Sequence, residues 1–174
     1  MATRVIDRRR RSRGPTRWRL WAAVALLLLL EFYLRPSVVE GRGMPDFLML
    51  VLLLLAMRQP PGLAAVTGLV VGLIADVLTP ARFGAAMVAH VVVGWGASWG
   101  RAIFFPDNLL VNAGVFFFGT WVRNVLVLVL SGTPPGRLLV AALVWSPLQG
   151  LSTAVAGVIL LVMLRDWLAI RFES

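Results

Sequence analysis

Blocks of nearly unbroken apolar residues cover positions 18–34, 46–57, 62–78, 84–105, 108–130 and 138–164, and each block ends in proline, glycine or charge. A membrane helix needs about 20 apolar residues to cross ~30 Å of hydrocarbon at ~1.5 Å per residue. The pattern therefore predicts six membrane helices. The breaks fall at Arg35-Pro36, at Gln59 to Gly62, at Thr79-Pro80, at Phe105-Pro106-Asp107 and at Ser131 to Gly136. Proline there removes an amide hydrogen and restricts the residue before it, so these are turns with a mechanism. The second block is the short one. Its 12 residues suit a re-entrant or interfacial piece as well as a span.

Composition turns this pattern into a class. The 174 residues are 59% hydrophobic and 14% charged, with a mean hydropathy of +0.85, against about 45–50% apolar residues in an ordinary soluble domain. This is the profile of an all-α integral membrane protein. The 17 basic residues are all Arg against 8 acids, which resembles a coding bias more than a nucleic-acid-binding design, and no nucleic-acid partner is expected. There is no cysteine and only one histidine, His90, so thiolate chemistry, disulfides and a histidine metal site are excluded. No cofactor or metal is expected.

Arginine also orients the chain. The tail carries Arg4, Arg8 to Arg11, Arg13, Arg17 and Arg19, which places it in the cytoplasm by the positive-inside rule. With six spans, 12 loop and tail arginines are cytoplasmic and 4 (Arg35, Arg42, Arg82, Arg137) are outside; with five, the division is 10 to 6. Six spans with both termini inside fit better. The layout is then a basic cytoplasmic tail over 1–17, a six-helix membrane domain over 18–166 and a cytoplasmic C-terminal tail over 167–174. The tail is no cleaved signal peptide, because the apolar stretch behind it lacks a small-residue cleavage site and runs into Glu31. It serves topology and contact with lipid headgroups, with docking of a cytoplasmic partner as the other reading.

This topology assigns a depth to each polar residue in the blocks. Glu31, Asp76 and Arg123 fall toward the outer ends of odd-numbered helices, and Asp46, His90, Trp145 and Gln149 toward the outer ends of even-numbered ones. All collect in one leaflet. Arg123 lies ~24 Å of helix from Asp107, too deep for the inner surface, and should face other helices with Asp76 or Glu31 as its partner. The cluster has three readings: a structural ion pair, a ligand or proton site, and recognition of a partner's membrane segment.

Small residues supply a second signal. Ala64, Gly68, Gly72 and Asp76 recur every four positions, and Gly68-x-x-x-Gly72 lets helix backbones approach closely; Gly96-x-x-x-Gly100 is a second copy. Packing within the chain is expected of such motifs more than an interface between chains, with Gly114, Gly119, Gly150 and Gly157 adding to it. Pro147 should kink the sixth helix, with Ser146 and Gln149 near enough to satisfy the freed backbone. Most tryptophans, including Trp18, Trp21, Trp121, Trp145 and Trp167, fall near proposed membrane boundaries, while Trp95 and Trp99 lie deeper.

Met44-Pro45-Asp46-Phe47, the run from Gly68 through Gly72 to Asp76, and Phe83-Gly84 followed by small residues to Ala89 together resemble the rod shape-determining protein MreD family. Its core is a Pro-Asp or Pro-Asn opening the second helix, a G-x-x-x-G-x-x-x-D helix end, and a glycine about eight residues later. The resemblance runs over roughly 18 to 166. It implies a non-enzymatic component of the bacterial cell-elongation machinery in the inner membrane, associated with the single-span protein MreC. Through MreC it implies a connection of MreB filaments and RodA to a class B penicillin-binding transpeptidase. It also implies an architecture similar to the substrate-binding subunits of energy-coupling-factor vitamin transporters. Asp46, Gly68, Gly72, Asp76, Gly84, Arg123, Glu31 and His90 are the expected structural or partner-docking residues.

A vitamin-transporter subunit is the alternative, and it is disfavoured by short loops and few polar groups to orient a ligand. Catalysis is disfavoured further, since no nucleophile, base and acid set or metal-ligand spacing is evident.

Overall fold

The computed structural model describes residues 15–34, 43–101 and 108–168, with the side chains of 15–19, 101 and 164–168 excepted. The arginine-rich run before residue 15, the breaks at Arg35-Pro36 and Phe105-Pro106-Asp107, Arg42 and the C-terminal end from residue 169 lie outside the described residues.

Among the described residues every regular element is helical. The helices are α1 (Pro15–Leu34), α2 (Phe47–Ala56), α3 (Pro61–Leu78), α4 (Ala85–Arg101), α5 (Leu109–Leu130), α6 (Pro135–Val140) and α7 (Ser146–Leu168), with a 3-10 turn at Pro80–Arg82 and a π-helical turn at Ala141–Trp145. The six expected segments are present in order, the sixth as α6, the π turn and α7 in continuous succession. Three helical stretches are long and apolar enough to cross a membrane by length and composition: Pro61–Leu78, Leu109–Leu130 and Pro135–Met163.

The short second segment forms the middle of the protein. Every residue of α2 from Leu48 to Ala56 is buried, and α1, α3, α4, α5 and α7 all pack on it. At ~1.5 Å per residue its ten residues extend only ~15 Å, half the hydrocarbon thickness. Backbone at that depth is tolerated because protein, not lipid, surrounds it.

The first glycine motif works as the sequence predicts. A Cβ on Gly68 would stand 2.3 Å from the His90 carbonyl oxygen, and one on Gly72 would stand 2.5 Å from Met87 Cα. Glycine is what lets α3 lie directly on the α4 backbone, with Gly94 answering from α4 against Ala64. The α5–α7 contact uses the same device, since a Cβ on Gly157 would meet the Phe116 ring at 2.5 Å and one on Gly150 the Phe117 carbonyl at 3.0 Å. The second motif departs from expectation. A Cβ on Gly96, Gly100 or Gly114 would have none of the described residues within 4 Å, because these glycines face a surface groove instead of a neighbouring helix.

At Pro147, where the sequence predicts a kink, the sixth segment carries a π turn on the N-terminal side of the proline. The Ser146 N–H bonds back five residues to the Ala141 carbonyl, so the next carbonyl, Ala142, would be served by residue 147. Proline has no N–H to give. The orphaned Ala142 oxygen is taken by the indole N–H of Trp121 on α5, at 2.9 Å. Ser146 and Gln149, the neighbours in sequence expected to satisfy the freed backbone, give way to a neighbour in space.

Candidate functional site

The polar residues singled out by the sequence do gather around the N-termini of α2 and α4, with Glu31, Asp46 and Arg123 at the first and Asp76 and His90 at the second. A helix start leaves four N–H groups unserved and carries partial positive charge, so carboxylates are stabilising there. Asp46 is the N-cap of α2, its Oδ1 accepting from Met49 N at 2.9 Å, and Glu31 on α1 accepts the Phe47 N–H at 3.2 Å. Both acids are buried.

Asp76 does the same for α4 from another helix. Its carboxylate accepts the N–H groups of Gly84 (2.9 Å), Ala86 (3.1 Å) and Met87 (3.0 Å). Gly84 has φ +96, a conformation that favours glycine, and it has no side chain to cap the helix it precedes. The acid at the end of α3 supplies that missing cap. One turn further along α4, fully buried His90 donates from Nδ1 to the Ala86 carbonyl at 2.6 Å.

Arg123 corrects the expectation about its partner. Its Nη2 donates to Asp46 Oδ2 in a buried ion pair, not to Asp76 or Glu31, whose carboxylates serve helix N-termini. Depth alone could not distinguish three acids at one level. We therefore expect Asp76→Asn to lower the thermal stability of the purified protein by about 1–3 kcal/mol, since one amide oxygen must serve three N–H groups. Arg123→Gln should give no rescue; partial restoration in the double variant would mean that the two side chains pair after all.

Beyond Arg123 the polar chain continues through residues that sequence reasoning did not connect. Arg123 Nη1 donates to Asn124 Oδ1 at 2.7 Å, and Asn124 Nδ2 donates to Gln149 Oε1 on α7 at 2.8 Å. Thr153 Oγ1 accepts the Asp46 N–H at 3.0 Å and donates to the Gln149 carbonyl at 2.7 Å. Asn124 was missed although a signal existed. Asn112, Phe116, Thr120 and Asn124 recur every four residues and form the buried face of α5. Among the described residues, three buried side-chain atoms, His90 Nε2, Thr120 Oγ1 and Arg123 Nε, have no hydrogen-bond partner.

Two of the concave features at the surface lie against α5. One is the groove of about 580 Å³ between α4 and α5, lined by Val92, Trp95, Gly96, Gly100, Gly114 and Phe118 among others. The rings of Trp95 and Trp99 stack at its side, 6.4 Å apart, and both are exposed. The other is polar and lies between the 3-10 turn, α5 and the π turn. Among the described residues no group of three or more His, Cys, Asp or Glu could hold a metal ion.

Carboxylates, amides and an arginine turned inward, under a skin of exposed leucine, valine and tryptophan, invert the arrangement of a soluble protein. With three helices long and apolar enough to span a bilayer, that defines a multi-pass α-helical membrane protein. Across the chain, the family model described as rod shape-determining protein MreD matches residues 12–168 of 174, and the chain belongs to that family. Its role is in rod-shape determination, in a family of shape-determining structural proteins and not a known enzyme class. Comparison with curated proteins and with solved structures gives no match.

Proposed function

We propose that the chain is a non-enzymatic scaffold of the bacterial cell-elongation machinery that seats the membrane helix of an MreC-type single-span partner in the α4–α5 groove. Through that partner it helps couple MreB filaments and RodA to a class B penicillin-binding transpeptidase. The observation that carries the docking site is the contrast between the two glycine motifs. Gly68-x-x-x-Gly72 is filled by α4, whereas Gly96-x-x-x-Gly100, with Gly114 across from it, opens to a groove with nothing against it among the described residues. Helix association in lipid relies on close packing against small residues, so an unfilled motif of this kind suits an incoming helix. The Asp46, Glu31, Asp76, Arg123 and His90 layer, with Gly68, Gly72 and Gly84, fixes the helices that present the groove. In this reading the chain spans the inner membrane six times with both termini cytoplasmic, as the arginine distribution favours.

The test uses the full chain co-expressed with an MreC-type partner. Gly96→Leu and Gly100→Leu should keep folded yield, since each side chain enters open space, while weakening helix docking by about 1–2 kcal/mol, roughly tenfold in recovered partner. Unchanged recovery with both substitutions present would remove the groove as the docking site. Isolation of the chain with an energy-coupling ATPase and a tightly bound vitamin would overturn the scaffold itself.

A further inference from the structure

The cavity beside the π turn is about 390 Å³ and is lined by Arg82, Arg123, Asn124, Trp145, Ser146 and Gln149 together with apolar residues of α5 and the π turn. We propose that it binds the phosphate of an anionic lipid headgroup. The proposal does not rest on partner docking, because the groove lies between α4 and α5 whereas this cavity lies on the α7 side of α5.

Charge is the first argument. Two arginines line the cavity and no acid does. Asp46 offsets Arg123 from behind, which leaves Arg82, an exposed side chain with no ion-pair partner among the described residues, as an uncompensated cation at the mouth. Guanidinium groups present a planar fork of donors that matches phosphate oxygens. The adjoining cavity shares Arg82 and Arg123 but is also lined by Asp76. An anion is therefore favoured on the π-turn side.

The direction of the hydrogen bonds is the second argument, and it follows from arginine's chemistry. Arginine can only donate. Its bond to Asn124 therefore forces the Asn124 oxygen toward it and the Asn124 amide toward Gln149 Oε1, so Gln149 in turn has its own NH2 left over. The relay runs from Asp46 through Arg123 and Asn124 and ends, at Gln149, in a donor. Side-chain oxygens that would repel a phosphate, Asn124 Oδ1 and Gln149 Oε1, are already occupied. The cavity is a set of donors: Arg82, Arg123, the Gln149 amide and the Ser146 hydroxyl.

Position selects a lipid over a free ion. Arg123 lies seven residues before the end of α5, ~10 Å of helix, while Arg82 stands in the turn beyond α3, so in the six-span reading the pair straddles the depth of an outer-leaflet headgroup. Val127, Leu128 and Ala141 of its lining are apolar, and Leu143 and Val144 of the same π turn are exposed, which gives acyl chains an apolar surface. The π turn that shapes this wall is of a kind often found at functional sites.

Purified full chain in non-ionic detergent, titrated separately with dioctanoyl phosphatidylglycerol, dioctanoyl phosphatidylcholine and inorganic phosphate and read by native mass spectrometry, tests the proposal. One phosphatidylglycerol should bind about tenfold or more tightly than phosphatidylcholine. Arg82→Gln should abolish that preference without changing the melting temperature, and Arg82→Lys should keep much of it. Equal binding of both lipids, or an unchanged preference in Arg82→Gln, would overturn the site. Inorganic phosphate binding as tightly as phosphatidylglycerol would assign it to a free ion instead.

Discussion

Asp46→Ala is expected to destabilise the protein by about 3–5 kcal/mol, the largest single effect in the polar layer. The substitution leaves the Arg123 guanidinium buried without its carboxylate, and it also removes the acceptor for Met49 N at the start of α2. Loss of an N-cap alone costs about 1 kcal/mol, so most of the effect comes from the stranded cation. Removing both charges tests this. Asp46→Leu combined with Arg123→Met should recover most of the loss, because two apolar side chains of similar size replace a pair whose attraction is largely offset by desolvation. Thermal unfolding of the single and double variants in detergent measures the coupling; losses that simply add would show that the pair does not act as a unit.

Gly68→Ala and Gly72→Ala should each cost about 3 kcal/mol, at the upper end for overpacking, while Gly96→Ala in an identical motif should be neutral or slightly stabilising. The difference lies in what the added carbon meets. At Gly68 it meets the His90 carbonyl oxygen at 2.3 Å and at Gly72 it meets Met87 Cα at 2.5 Å, and backbone cannot rotate away as a side chain can. Displacing α4 from α3 would also pull the N–H groups of Gly84, Ala86 and Met87 from Asp76. At Gly96 the carbon meets nothing, and the helix gains because alanine is favoured over glycine by about 1 kcal/mol. Melting temperatures of the three variants decide the matter, and equal losses at all three would mean that Gly96 packs against a helix as Gly68 does.

Much of the site is legible in the sequence. Asp76 stood out because a carboxylate in an apolar helix needs a partner, and its place before Thr79-Pro80 put it at a helix end; only the structure shows that its partners are the N–H groups of the next helix. Arg123 stood out for the same reason, yet its partner was misassigned because Glu31, Asp46 and Asp76 share one depth. The second segment reads from its length as a re-entrant or interfacial piece or a span, and its burial by other helices on every side comes only from the structure.

The sequence by itself determined where helices start and stop, that polar groups meet at one end, and which positions are small enough for close approach. These follow from local causes: a proline without an N–H, an acid that cannot stay alone in hydrocarbon, a repeat of four residues. The tertiary structure alone decided which acid pairs with Arg123, which glycine motif is filled and which is open, and where the carbonyl freed by Pro147 finds its donor. Each of those depends on how a helix is rotated about its own axis. When lipid and protein interior are equally apolar, hydrophobicity does not mark the inward face, and rotation is set by the packing of all the helices together.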